Sequence, residues 1–299
     1  MKKTLYRYAA ACFLLVLLLQ IGLPVTGHGV QPETLEQVAA DMDARQMFVY
    51  DYDQDVMLCS KAVEGGKLYP ASTTKLFTAY VALQYLTPDT VVTAGEELEL
   101  VKPGSSIAYI LEGHQLTVEM LVQAMLLPSG NDAAMVLAAA AGRKVAQDET
   151  LAGKQAVRAF VAEMNRMAEQ LEFQKSHFVN PDGFHMGSHY SCVEDMARIG
   201  KLAMGNPVIS QYMRLPEADV VYHSGQTNHW KNTNHLLHPE SDYYHPDAVG
   251  MKTGYTNAAG NCLMAAFNFH GRTLIIGIFG DADKLDRFED AADLAEACQ

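Results

Sequence analysis

The chain has 299 residues, 49% hydrophobic and 19% charged, with 22 lysines and arginines against 35 aspartates and glutamates. That composition is globular, with ample material for a core, and excludes disordered, collagen-like and coiled-coil chains. A formal net charge of −13 argues against nucleic acid as a partner, because phosphate binding needs clustered Lys and Arg.

The first element in chain order is an export signal. Lys2, Lys3 and Arg7 give a basic start, and residues 8–23 are apolar apart from Gln20 and Gly22. Small residues follow, so cleavage is expected near Gly27 or Gly29. The apolar run is a little short for the ~20 residues a spanning helix needs, and an uncleaved N-terminal anchor is the alternative. The expected division is a signal over 1–27 and one folded unit over 28–299, placed outside the cytoplasm. The remaining cysteines, Cys59, Cys192, Cys262 and Cys298, lie in no CxxC. An exported protein could pair them, but they read as buried or idle thiols.

Residues 46–51 and 55–60 are β-type runs around a turn at 52–54. The periodicity predicts helices over 76–86, 117–127 and 132–141, the last two flanking Pro128, Ser129, Gly130 and Asn131. Residues 155–172 place Val157, Phe160, Val161, Met164, Met167, Ala168 and Leu171 on one helical face. That methionine-bearing stripe is core rather than a cofactor surface. Residues 260–270 and 272–280 form a hairpin around Gly271. Residues 281–297 form a closing helix with Leu285, Phe288, Ala292 and Leu294 inward. Strands come first and last, with helices between. The fold class is therefore α+β: an antiparallel sheet built from both chain ends, with an all-α lobe inserted. The sheet lobe spans about 32–75 plus 246–299, and the helical lobe about 76–245.

Three short motifs carry candidate chemistry. Ser72 and Lys75 stand at i and i+3 at the start of a helical run, on one face and within mutual reach. A serine hydroxyl is a weak nucleophile until a neighbour takes its proton. A lysine can do so once burial or a second cation has lowered its pKa. The helix N-terminus offers N–H groups to an oxyanion. The plainer alternative is a serine N-cap and a solvated first-turn lysine. Ser129 and Asn131 lie two apart on a tight turn, where a hydroxyl can relay protons and an amide can hold a lysine or a carbonyl. The alternative there is a helix–helix turn with Asn131 as cap. Composition predicts about 0.5 and about 0.4 chance occurrences of these two patterns, so neither decides alone. Lys252, Thr253 and Gly254 follow Gly250 and Met251 on an expected strand. Lys252 and Thr253 suit a carboxylate there, and Gly254 allows close approach of a substrate backbone. About 0.05 chance occurrences are expected for that triplet. All three motifs in order have a joint chance of roughly 0.002.

Class A β-lactamases and penicillin-binding proteins carry S-x-x-K, S-D-N and K-T-G; the middle triplet here is Ser-Gly-Asn. The chain resembles the low-molecular-mass penicillin-binding proteins, the serine-type D-alanyl-D-alanine carboxypeptidases. The likeness extends through PASTTK, LLPSGNDAAMVLA, HFVNPDGF, HYSCVEDMA, WKNTNHLL, VGMKTGYTNAAGNCLMAA and GRTLIIGIFGDADKLDRFEDA. The resemblance implies a five-stranded antiparallel sheet flanked by helices, with the site between sheet and helical lobe. It implies Ser72 as acylated nucleophile, Lys75 as its proton acceptor, Ser129 as proton shuttle and Asn131 as positioner. It further implies Lys252 and Thr253 as holders of a terminal carboxylate, beside Gly254, and backbone N–H groups of Ser72 and Tyr255 as oxyanion hole. The two lysines are expected to disfavour each other's charge, leaving Lys75 neutral and Lys252 protonated.

The implied partners are peptidoglycan stem peptides, with β-lactam antibiotics as covalent inhibitors; no cofactor or metal is expected. His223, His229, His235, His238 and His245 cluster before the third motif, but their spacing suits no metal site and they read as a polar loop near the cleft. His185 and His189 fall where glycines disfavour a helix, and His189 reads as structural. Many family members continue into a β-rich domain and a membrane-docking helix. The sequence stops after the closing helix, so no C-terminal anchor is expected. The alternatives are a β-lactamase, against which no Glu-x-x-Leu-Asn string is found, a DD-endopeptidase using the same residues, and a non-catalytic peptidoglycan- or penicillin-binding module.

Overall fold

The computed structural model describes residues 32–299, so the expected export signal over 1–27 lies outside the described residues. In chain order the elements are α1 (Pro32–Asp41), β1 (Gln46–Asp51), β2 (Val56–Lys61), a 3-10 turn (Ala71–Thr73) running into α2 (Thr74–Ala82), and β3 (Val91–Thr93). Then come β4 (Gln115–Thr117), α3 (Val118–Leu126), α4 (Asn131–Ala146), α5 (Gly153–Gln170), α6 (Val193–Gly205) and α7 (Pro207–Tyr212). The last are β5 (Glu217–Val221), β6 (Thr227–Lys231), β7 (Ala248–Thr256), β8 (Gly260–Phe269), β9 (Arg272–Asp281) and α8 (Asp286–Glu296).

The main sheet is five-stranded and antiparallel, in the order β2-β1-β9-β8-β7. Strands from the two ends of the described chain meet at its centre, as the sequence predicts, because β1 pairs along its whole length with β9. Side chains alternate between two cores. Cys262, Met264 and Ala266 of β8 face the helical side, while Leu263, Ala265 and Phe267 face Leu35, Phe288 and Leu294. With both faces covered, β8 and β9 read as nearly unbroken apolar runs. The β1–β2 turn is set by Asp51, whose Oδ1 accepts from the N–H groups of Asp53 and Gln54 at 3.0 and 2.8 Å.

Several expectations need correction. The middle of the chain is not wholly helical: β3 pairs with β4 and β5 with β6 in two small hairpins. These strands have three to five residues, too short for a clear two-residue period. The nucleophile helix starts two residues earlier than 76 and ends at Ala82 rather than 86. The helix expected over 132–141 runs on to Ala146. The closing helix begins at Asp286, not 281, because Asp281 is still in the ladder opposite Asn261. Its inward small residues are Ala291 and Ala295, whereas Ala292 and Leu285 are only half-buried.

Helix α2 is buried nearly all round, the mark of a helix at the centre of a core. Beside it α4 and α5 approach very closely at Gly142, where an added Cβ would stand 1.9 Å from the carbonyl oxygen of Ala156. Backbone cannot yield as a flexible side chain does. The substitution Gly142→Ala should therefore cost about 1–3 kcal/mol or more and lower the thermal midpoint by several degrees in scanning calorimetry. An unchanged midpoint would show that the two helices are free to separate there.

Candidate active site

Ser72 lies in the 3-10 turn that leads into α2, and is only partly exposed. Its turn is gripped from two sides by backbone. A Cβ on Gly183 would fall 1.8 Å from the carbonyl oxygen of Ala71, and one on Gly254 would be 3.0 Å from the amide nitrogen of Ser72. Glycine at both positions lets the 182–184 loop and strand β7 close on the serine. Ala71 adopts φ +48, a left-handed conformation of the kind that concentrates at functional sites.

Lys75 lies one helical turn on and is fully buried. Its Nζ donates to Ser72 Oγ at 2.8 Å, to Asn131 Oδ1 at 2.7 Å and to the carbonyl oxygen of Asp182 at 2.9 Å. Asn131 is oriented in turn by Asp182: its Nδ2 donates to Asp182 Oδ2 at 2.7 Å, which leaves Oδ1 facing the lysine. The second oxygen of Asp182 accepts from the Phe184 N–H at 3.0 Å. Burial lowers the pKa of Lys75 to about 8, against the opposing fields of Asp182 and Asp132. Once deprotonated, the amine keeps two N–H groups. Two N–H bonds can go to the carbonyl-type oxygens of Asn131 and Asp182, leaving the lone pair toward the hydroxyl of Ser72.

Ser129 has φ +66 and opens the turn into α4. It lines the cleft with Ser72 and Asn131, but its hydroxyl makes no hydrogen bond to Ser72 or Lys75. Gly130 is required there, since a Cβ would meet Asp132, Ala108 and a backbone oxygen at 2.7–2.8 Å. Asp132 takes the N–H groups of Ala108 and Ile110 and so fixes the loop facing the serine.

Strand β7 supplies the opposite wall. Thr253, Gly254 and Tyr255 line the cleft, and the Tyr255 side chain is exposed at its rim, with its hydroxyl donating to Asn257. Lys252 is fully buried, and its Nζ donates to the carbonyl oxygen of Thr253 at 3.0 Å. Here an expectation is corrected. Lys252 does not sit among groups that favour its charge: burial, and then the charges of Lys75 and Arg287, push its pKa well below the ordinary value. Lys75 has two carboxylates in its field, whereas the charged neighbours of Lys252 are cations.

The cleft has a volume of about 700 Å³. Two residues of the site carry no sequence signal of chemistry. Asp182 sits in Asn-Pro-Asp-Gly, which reads as a turn. Arg287 is a basic residue in an acidic helix; it is buried, lines the cleft, and donates to the carbonyl oxygens of Gly254 and Cys262 at 3.0 and 3.1 Å. His189 is buried, with Nδ1 accepting from the Val179 N–H and Nε2 near Thr74 Oγ1 at 3.0 Å. It ties the 179–189 loop to the nucleophile helix, and burial lowers its pKa to about 3. The histidines near the third motif are dispersed. His229 pairs with Asp219, His238 bonds the carbonyl of Asn232, and His245 packs on Phe267. Among the described residues no group of His, Cys, Asp and Glu is placed to hold a metal.

A family model of D-alanyl-D-alanine carboxypeptidases matches residues 32–283. A D-alanyl-D-alanine carboxypeptidase of Streptomyces sp. strain K15 is 33% identical over 216 residues, covering 68% of this chain and 69% of the relative. The D-alanyl-D-alanine carboxypeptidase DacD of Escherichia coli is 32% identical over 235 residues, covering 75% of this chain and 55% of the relative. The chain thus spans little more than half the length of some curated relatives it matches. The crystal structure of the Streptomyces K15 DD-transpeptidase superposes with a TM-score of 0.75 at 28% identity, over 86% of this chain and 97% of that one. Sequence, fold and the serine–lysine–asparagine geometry agree: the chain belongs to the D-alanyl-D-alanine carboxypeptidase family of serine peptidases.

Proposed function

We propose that this protein removes the terminal D-alanine from peptidoglycan stem pentapeptides through an acyl-enzyme on Ser72, and that β-lactams acylate the same serine. The observation that carries this reading is the hydrogen-bonded set in which buried Lys75 and Asp182 hold the cleft residues Ser72 and Asn131, with Thr253 and Arg287 also lining the cleft and Lys252 buried beside Thr253. Lys75, neutral, takes the Ser72 proton as Oγ attacks the penultimate D-alanine carbonyl. The oxyanion sits between backbone N–H groups of Ser72 and Tyr255. Ser129, on the path toward the leaving amine, relays the proton that releases D-alanine. Water then cleaves the ester.

The terminal carboxylate is the anion that Lys252 lacks. Thr253, Lys252 and Arg287 receive it, and its arrival favours the charged form of Lys252. Cleavage of crosslinks would use the same groups. Action on peptidoglycan is consistent with export by the N-terminal signal, with the catalytic unit over 28–299. Among the described residues no helix is long and apolar enough to cross a membrane.

Mass spectrometry of a stem pentapeptide incubated with the purified protein should show loss of one D-alanine. Ser72→Ala should abolish it, and Lys75→Ala should lower acylation by about 10²–10⁴-fold, the usual range for a lost general base. An unchanged pentapeptide in the presence of active, penicillin-labelled protein would refute carboxypeptidase activity. Rapid turnover of a chromogenic cephalosporin would instead favour a β-lactamase.

Acylation by penicillin should speed up as pH rises through about 8, where Lys75 loses its proton. In Asp182→Asn the rising limb should move to lower pH, because the carboxylate field that holds the proton on Lys75 is gone. Stopped-flow acylation rates between pH 5.5 and 9.5 check this; a limb that stays in place or moves upward counts against Lys75 as the base.

A further inference from the structure

The segment that runs beside β7 presents its residues alternately inward and to the cleft. Asn232 and Asn234 are buried and hold backbone: Asn232 Nδ2 donates to the carbonyl oxygen of Leu215 at 2.9 Å, and Asn234 Nδ2 to that of Gly250 at 3.3 Å. Thr233 and His235 line the cleft. The Oγ1 atoms of Thr233 and Thr253 are 2.5 Å apart, which fixes the segment against the strand expected to hold a substrate terminus. The His235 ring packs on Phe288 with centroids 5.0 Å apart, and on Tyr243 at 6.4 Å. Among the described residues its ring nitrogens have no hydrogen-bond partner.

The charged and titratable groups around His235 come from four directions. His238 follows it on its own segment, Lys231 ends β6, Lys284 precedes α8, and Arg287 lies on α8; each opposes a positive charge on the ring. A carboxylate on that side, Glu240, is bonded to Lys231 at 2.7 Å and lies 3.7 Å from His238. Partial burial adds to the cations, so the ring is held below the usual imidazole pKa. Lys284 and Arg287 also line the cleft. This end is therefore a cradle of cations, with one histidine whose charge depends on what enters it.

We propose that His235 is a specificity-determining residue for the substrate's terminal carboxylate, binding it in the protonated form and so making recognition tighter as pH falls. The proposal rests on the carboxypeptidase reading above. A carboxylate entering the cradle favours the imidazolium, and by linkage imidazolium favours the carboxylate. A coupling of one pKa unit corresponds to about tenfold in affinity. The charge step at Ser72 and Lys75 does not use the ring, so His235 acts on KM and leaves the pH profile of kcat to Lys75.

The test is steady-state hydrolysis of an N-acylated D-alanyl-D-alanine peptide by the full protein between pH 5.5 and 8.5. KM should rise up to about tenfold across that range in the unmodified protein. In His235→Gln it should stay flat near the alkaline value. In His235→Lys it should stay flat near the acid value, with kcat profiles and thermal midpoints preserved in both. A flat KM in the unmodified protein, or a slope that survives in His235→Gln, overturns the proposal; the second result would assign the titration to Lys252. A readout independent of turnover is the NMR titration of the His235 ring with and without the same peptide bound to Ser72→Ala. An upward shift of the midpoint supports the proposal even if no D-alanine is released, a result that would refute only the carboxypeptidase reading. Turnover without a midpoint shift refutes the role of His235 alone.

Discussion

Everything in this site follows from burying one lysine. An ammonium taken out of water loses several kcal/mol of hydration, and the fold must either neutralise it or surround it with acceptors. Here it does both. Lys75 receives two carbonyl-type oxygens from segments far apart in sequence, Asn131 at the head of α4 and Asp182 in the loop after α5. A carboxylate behind them keeps the amide correctly turned. The third direction is left to the serine. The helical lobe is thus the scaffold that brings a turn, a helix start and a loop to one nitrogen atom.

The two lysines illustrate how similar burial gives different chemistry. Lys75 and Lys252 are both fully enclosed, yet one lies in the field of Asp182 and Asp132 and the other in that of Lys75 and Arg287. Sequence spacing cannot reveal this, because it depends on which loops arrive from the far side of the cleft. The protein supplies cations at one end and the ligand must bring the balancing charge. An outer surface of acidic residues does not conflict with that, since the cradle is local.

Much was legible in the sequence for physical reasons. Strands β1, β8 and β9 are largely apolar runs because both faces are covered, and the turns of the sheet carry Asp, Asn and Gly where the backbone needs them. Ser72, Lys75, Ser129, Asn131 and Lys252 to Tyr255 could be named because each sits in a short, ordered motif. Asp182, Asp132 and Arg287 could not. Asp182 looks like a turn residue, Asp132 like a first-turn helix acid, and Arg287 like a surface residue of an acidic helix. Each acquires its place only through partners more than twenty residues away, or through the packing of α8 on the sheet. The short hairpins were missed because three to five residues carry too little pattern against the long helices around them.

The pairing of β1 with β9 also sets the order in which the protein can be completed. As the chain emerges from the N-terminus, the β1–β2 hairpin has no central neighbour until the residues of β9 have been made, more than two hundred positions later. Pairings this distant in sequence form slowly and leave strand edges open meanwhile. Ser72 and Lys75 are synthesised early, but the wall that faces them belongs to β7, which pairs only with β8 and through it with β9. The nucleophile is therefore synthesised long before the strand that forms the facing wall of its cleft.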